Sequence, residues 1–420
     1  MKLAVTAWSL MVGTAIALAP AHAQYGSTPQ PQQPTQPSAT TQATTSVNVS
    51  KGAFKAISEL EAAVKAKDLA NIPARLAAAE AVARTKDDRY MVDLLRFRAA
   101  VALDDPAAIE RAVGPVLASG RMPAGFDATI YADLGKLYYG RKQFDQAAAA
   151  FERSLGFQPT NTETMAMLAE ARNSQGRAAD AVALLQKAIA QTRAAGQTPN
   201  EKWYRRSIGI AAKAKLPNTP QLTRDWLQAY PTSTNWRDSL LLYRQSASLD
   251  EAALLDLFRL SRATRSLASE KDFYDYADLA LLRGFPGEAK AVLEEGFAAK
   301  LISRSKPEFA SLISSASARS AGDRASLEAS AKAALAAPTA KQAVTVGDAY
   351  YGYGDYAKAA QLYRAALAKS GADTSLVNLR LGAALALSGD KAGATQAFNA
   401  VSGQHSEIAR FWLIHLATKA

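Results

Sequence analysis

An all-α protein of antiparallel helix pairs laid end to end is the fold the sequence predicts, and three observations predict it. From Lys51 onward apolar residues recur at intervals of three and four, with little strand-like alternation. Short turns carrying Gly, Pro or Asp separate the stripes. Side chains of matched size also return every 34 or 35 positions, the signature of stacked supersecondary units.

The N-terminus precedes this pattern. Met1–Ala23 has the three-part layout of an export signal: Lys2, the mostly apolar run Leu3–Ala19, and the small-residue site Ala21-His22-Ala23. Thr6, Ser9, Gly13 and Thr14 interrupt the run, so cleavage is expected rather than a spanning anchor, with a mature start at Gln24 in a periplasmic or secreted setting. Residues 24–50 are uncharged and rich in Gln, Thr, Pro and Ser, a composition that cannot bury enough apolar surface to offset chain entropy. A disordered tether is expected there, with a docking peptide as the alternative.

The helical remainder divides by texture into 51–199, with its clearest repeats at 128–195, a basic tryptophan-bearing stretch at 200–270, and C-terminal repeats with a terminal helix at 271–420. Phe54, Ile57, Leu60 and Val64 form one stripe, and Leu94, Leu95, Phe97 and Val101 contribute to another. Gly135, Ala147, Phe151 and Ser154 stand 34 residues before Ala169, Ala181, Leu185 and Ala188. Gly347, Ala359, Tyr363 and Ala366 stand 35 before Gly382, Ala394, Phe398 and Val401. The order of sizes has a physical basis. Two helices approach closely only where side chains are small, so Gly135 and Ala147 let the backbones meet while Tyr131, Leu134, Tyr138 and Phe151 fill the space on either side. Pro159 follows the second helix, which it would break from within. Helix pairs inferred from periodicity alone fill Lys51–Ala128 and Pro307–Ala340, making about ten or eleven pairs at this period.

With Tyr131, Leu134, Gly135, Tyr138, Ala147, Phe151, Ser154 and Pro159 all present, the chain resembles the tetratricopeptide repeat family. The next unit keeps Met165, Leu168, Ala169, Ala181, Leu185 and Ala188, with Arg172 in place of an aromatic; a weaker unit shows Phe273, Tyr276, Ala277, Ala289 and Leu293. The resemblance implies a right-handed superhelix whose concave face, lined by the first helix of each pair, binds a protein or peptide. It carries that face onto Lys136, Tyr139, Glu170, Asn173, Asp348 and Tyr351.

Composition narrows the chemistry. No cysteine means no disulfide, thiolate metal site or cysteine nucleophile. After signal removal only His405 and His415 remain to act as a base, and paired acids such as Asp87-Asp88 read as helix-start electrostatics. Gly352–Ala357 spells G-x-G-x-x-A but follows a helical stretch, where the fingerprint needs a strand. The chain is therefore expected to be no enzyme and to carry no metal or cofactor. Ile408–Leu416 is expected to fold over the last pair, with self-association through Phe411 and Trp412 as an alternative.

Charge suggests a second surface. The 49 bases, less Lys2, exceed the 38 acids by ten in the mature chain, and half that excess lies between Asn200 and Ser269. Eleven bases, among them Arg205, Arg206, Arg259 and Arg262, face six acids there, beside Trp203, Trp226 and Trp236. Arginines near aromatics suit an anionic glycan or lipid headgroup; export disfavours nucleic acid, and no later run is long enough to span a bilayer. Arg259, Arg262 and Arg265, stepping by three, are expected on a solvated stripe, with the tryptophans largely in the core.

Overall fold

The computed structural model describes Lys2–Leu3 and residues 47–122 and 124–418. The expected signal, apart from those two residues, and the tract up to residue 46 lie outside the described residues. Lys2–Leu3 (β1) pairs antiparallel with Val47–Asn48 (β2), and the other regular elements among the described residues are helical. The chain divides into two compact units, residues 1–196 and 197–420.

In the first unit residues 47–50, which composition assigns to the tether, belong to the folded body. Val47 and Val49 are buried in its core. The Asn48 amide donates to Asp87 (2.7 Å) and the Ser50 amide to Asp88 (2.8 Å), while the Ser50 hydroxyl caps α1. Eight helices follow in four pairs: α1 (Lys51–Lys65) with α2 (Ile72–Val82), α3 (Lys86–Ala102) with α4 (Pro106–Ala118), α5 (Phe126–Gly140) with α6 (Phe144–Phe157), and α7 (Thr162–Ser174) with α8 (Ala178–Ala194). The α5–α6 contact is built as the size order requires. A Cβ on Gly135 would sit 2.5 Å from the Phe151 ring, Ala147 is fully buried, and the Ser154 hydroxyl donates to the Ala128 carbonyl (2.7 Å). Ala169, Ala181 and Leu185 repeat the contact one pair later.

Asp87 and Asp88 open α3 as expected, and Asp88 does more than face a helix start. It is buried, and it accepts from the amides of Thr85, Ser50 and Arg84 and from the Ser50 hydroxyl. Burial alone would raise its carboxyl; the hydrogen bonds override this and hold it at about 2.

Among the described residues the second unit holds twelve α-helices. The pairs are α9 (Glu201–Lys213) with α10 (Thr219–Ala229), α11 (Ser233–Ser246) with α12 (Glu251–Ala263), α13 (Glu270–Leu282) with α14 (Pro286–Ala298), α16 (Ala340–Gly352) with α17 (Tyr356–Leu367), and α18 (Thr374–Ser388) with α19 (Lys391–Asn399). Between α14 and α16 runs a single 30-residue helix, α15 (Pro307–Ala336), instead of the inferred pairs. After Pro307 that stretch holds one glycine, Gly322, no further proline and a run of alanines, so nothing in it breaks a helix. Gly347 and Gly382 meet Tyr363 and Phe398 as Gly135 meets Phe151. The Gly352–Ala357 letters form the α16–α17 turn, with Gly354 at φ 79°.

The second unit also closes on itself. The last helix, α20 (Ser406–Thr418), packs on α18 and α19 and also on α10 and α12. Phe411 and Trp412 are each 1% exposed. Trp412 stacks on Phe398, Phe411 meets Trp236 and Tyr243 edge-on, and Glu407 pairs with Arg224. The two aromatics proposed for self-association are thus spent inside one unit, because the closing helix turns its apolar side inward.

Candidate interaction surface

In the first unit the positions carried over from the repeat pattern stand at the surface. Lys136 is exposed and pairs with Asp133 (2.9 Å). Tyr139 is half-buried, its hydroxyl 3.4 Å from that of Ser174 and its ring 5.5 Å from Phe144. Glu170 and Asn173 are half-buried on α7.

The equivalent positions in the second unit are not a surface. Asp348 and Tyr351, which the repeat pattern places on a binding face, are each 2% exposed. The reason is that α14 packs on α16, while α12 packs on α18 and sets Arg259 against Asp348 and the Tyr351 ring. Arg259 of α12, expected on a solvated stripe, is likewise 2% exposed. Its guanidinium grips Glu288 through two hydrogen bonds (2.9 and 2.8 Å) and reaches Asp256 and Asp348 (3.1 Å each). Arg380 of α18 completes the cluster, bonding Asp256 (3.1 Å) and Asp348 (2.6 Å). Tyr276 and Tyr363 donate to Glu288 and Asp348, each at 2.7 Å, and Arg259 lies over the Tyr351 ring at 4.5 Å. Burial alone would lower the Arg259 pKa; Glu288 and Asp348 beside it raise it well above its usual value. Burial pushes the Tyr276 and Tyr363 hydroxyls well up, so both stay protonated donors. Two arginines, three carboxylates and two phenols thereby join six helices. Arg259, Asp348 and Tyr351 are accordingly structural in this unit.

The rest of the basic stretch is largely paired as well. Arg262 binds Glu295, Arg224 binds Glu407, and Arg244 lies 3.7 Å from Asp275. Trp236 and Trp226 are buried, and the Trp226 indole donates to Glu201 (3.0 Å); Trp203 is half-buried. Arg205 and Arg206 are exposed on α9.

What the second unit leaves open is the outer side of α13. One groove of about 450 Å³ lies between α13 and α15, lined by Tyr274, Asp278, Leu282, Glu308 and Arg319 among others. Another of about 410 Å³ lies towards α11 and α12, lined by Arg244, Leu249, Asp275, Asp278 and Leu282. Leu282, 69% exposed, and Asp278 form the ridge shared by both. Arg319 is held by the Leu281 carbonyl (3.1 Å), whereas no base pairs with Asp278 or Glu308 among the described residues. A legible signal existed. Tyr274, Asp278 and Leu282 step by four, off the phase of the buried stripe Phe273, Tyr276, Ala277 and Ala280, so two large apolar residues fall on the polar side.

Among the described residues no group of three or more His, Asp or Glu is placed to hold a metal ion. His405 is buried and His415 is packed between the Trp236 and Trp412 rings.

Residues 128–197 match the tetratricopeptide repeat family model, the span of α5 to α8. Residues 128–197 therefore carry tetratricopeptide repeats, a helical repeat fold that suggests a protein-interaction scaffold. Similar solved structures include a tetratricopeptide repeat protein from Parabacteroides merdae (12% identity, 80% of this chain and 100% of that one, TM-score 0.28). Others are pilF of Pseudomonas aeruginosa (16%, 65% and 89%, TM-score 0.20) and a pentatricopeptide repeat protein from maize (14%, 84% and 53%, TM-score 0.29). No curated protein matches.

Proposed function

We propose that the protein is a non-enzymatic scaffold of the cell envelope that holds a protein partner in the grooves flanking α13. The observation that carries this reading is Leu282. A leucine 69% exposed on a rigid helix, between two grooves and beside an unpaired aspartate, suits an incoming apolar side chain followed by a base. Tyr274, 38% exposed, adds apolar area to the groove between α13 and α15. The charge balance favours a basic segment, because among the described residues no base forms a salt bridge with Asp278 or Glu308, whereas Arg244 lies 3.7 Å from Asp275. The three-part layout of Met1–Ala23 supports export, and with it an envelope partner.

The test is a photo-crosslinking amino acid placed at Leu282 in the exporting cell, with Leu103 of the first unit as an exposed control. A discrete protein adduct from position 282, absent from 103 and lost when Asp278→Lys is added, is expected. No adduct at 282, or the same adducts from both positions, would refute the groove as the docking site.

A further inference from the structure

The eleven bases between Asn200 and Ser269 divide sharply. Arg224, Arg237, Arg244, Arg259 and Arg262, all on α10 to α12, are each ion-paired. Four others, on α9 and the turn after it, are not absorbed this way. Lys202, Arg205, Lys213 and Lys215 are exposed, and among the described residues no carboxylate pairs with any of these four.

Their placement follows from the helix. Tyr204, Ser207, Ile208 and Ala211 face the core, so positions 202, 205 and 213 share the opposite side, spread over about 16 Å at 1.5 Å per residue. Gly209, between them, has no side chain and leaves that side low and open. The one acid of α9, Glu201, is occupied by the Trp226 indole (3.0 Å) and the Asn235 amide (2.9 Å). Arg205 is steadied over the Trp226 ring at 5.7 Å. The result is a helix face bearing bases and no free acid, whereas Arg224, Arg237, Arg244, Arg259 and Arg262 of the same stretch are ion-paired.

We propose that this face of α9 docks the protein on the surface of an anionic lipid bilayer. The shape selects the partner. Three of the four bases are lysines, compact charges on long flexible stems, which suit laterally mobile phosphates better than the fixed acceptor geometry of a folded protein. Half-buried Trp203 beside Lys202 is the residue type that settles at a headgroup boundary. No described helix is long and apolar enough to cross a membrane, so the attachment is peripheral. This surface is independent of the grooves beside α13.

The experiment is sedimentation of the purified chain with vesicles of phosphatidylcholine alone or with about a third phosphatidylglycerol. Each base near such a surface multiplies the partition coefficient about fivefold, so replacing Lys202, Arg205, Lys213 and Lys215 together by Ser should lower binding several-hundredfold, roughly. A control variant with Lys300, Lys332, Lys341 and Lys391 changed to Ser loses the same net charge from scattered exposed positions of the same unit. It should bind nearly as the parent does, and raising salt to about 0.5 M should release the parent. Circular dichroism of both variants checks that the fold is kept. The proposal is overturned by equal binding to neutral vesicles, by no binding to anionic ones, or by an equal loss in the control. Binding to soluble polyglutamate without binding to vesicles would assign the face to an acidic protein and overturn it equally.

Discussion

Helix α5 and helix α16 carry the same repeat pattern and end in opposite environments. Both place a glycine against an aromatic of the following helix, Gly135 on Phe151 and Gly347 on Tyr363. One residue on stand Lys136 and Asp348, and four on stand Tyr139 and Tyr351. Lys136 and Tyr139 reach the surface, while Asp348 and Tyr351 are buried, with Arg259 of α12 set against both. The difference teaches that a repeat's contacts with its own partner helix are local and follow from its letters. What covers its other face is decided by a helix about 90 residues away.

The largest test of this contrast is the buried cluster. Arg259→Met leaves Glu288, Asp348 and Asp256 short of their main cation in a dry interior and should cost about 3–5 kcal/mol. Lys136→Met, in the exposed counterpart, should change stability by no more than about 0.5 kcal/mol. Urea unfolding followed by hydrogen exchange in α12 and α16 reads the first, and in α5 the second; equal costs would erase the distinction between the two faces.

A smaller effect is expected where the two helices agree. Gly135→Ala and Gly347→Ala each push a methyl into an aromatic ring and should destabilise by about 1–3 kcal/mol, to a similar degree in both units. Gly140, at the end of α5, has open space around it, so Gly140→Ala should be neutral or stabilise by up to about 1 kcal/mol. Thermal melting of the three variants checks the order.

Asp88 gives a pH-dependent counterpart in the first unit. Its folded pKa lies below the ordinary value, so its stabilisation is full above about 3.8 and is lost as pH falls towards about 2. Asp88→Asn should cost about 1–3 kcal/mol at neutral pH, and the gap to the parent should narrow across that window. A gap independent of pH would mean the carboxylate charge contributes nothing.

Much of the fold was legible because its determinants are local. Gly135, Ala147 and Phe151 at fixed spacing give a helix pair, and Pro159 marks its end. The single helix α15 was not legible from periodicity, since the Ala- and Ser-rich stretch after Pro307 offers no clear stripe, and its next proline, Pro338, comes only after the helix has ended at Ala336. Arg259 was misplaced for a related reason. Spacing of three from Arg262 describes one helix face, and nothing in the local sequence states that this face meets Asp348, 89 residues on, or shares Asp256 with Arg380, 124 residues beyond it. The groove residues Tyr274, Asp278 and Leu282 were readable as an off-phase stripe, but their openness depends on where α11 and α15 lie.

The central claim is that α12 occupies the face of the C-terminal repeats through this charge cluster. A double-mutant cycle between Arg259→Ala and Asp348→Ala, read as unfolding free energy, measures it most directly. A coupling of about 1–3 kcal/mol is predicted; costs that add to within about 0.5 kcal/mol would contradict it.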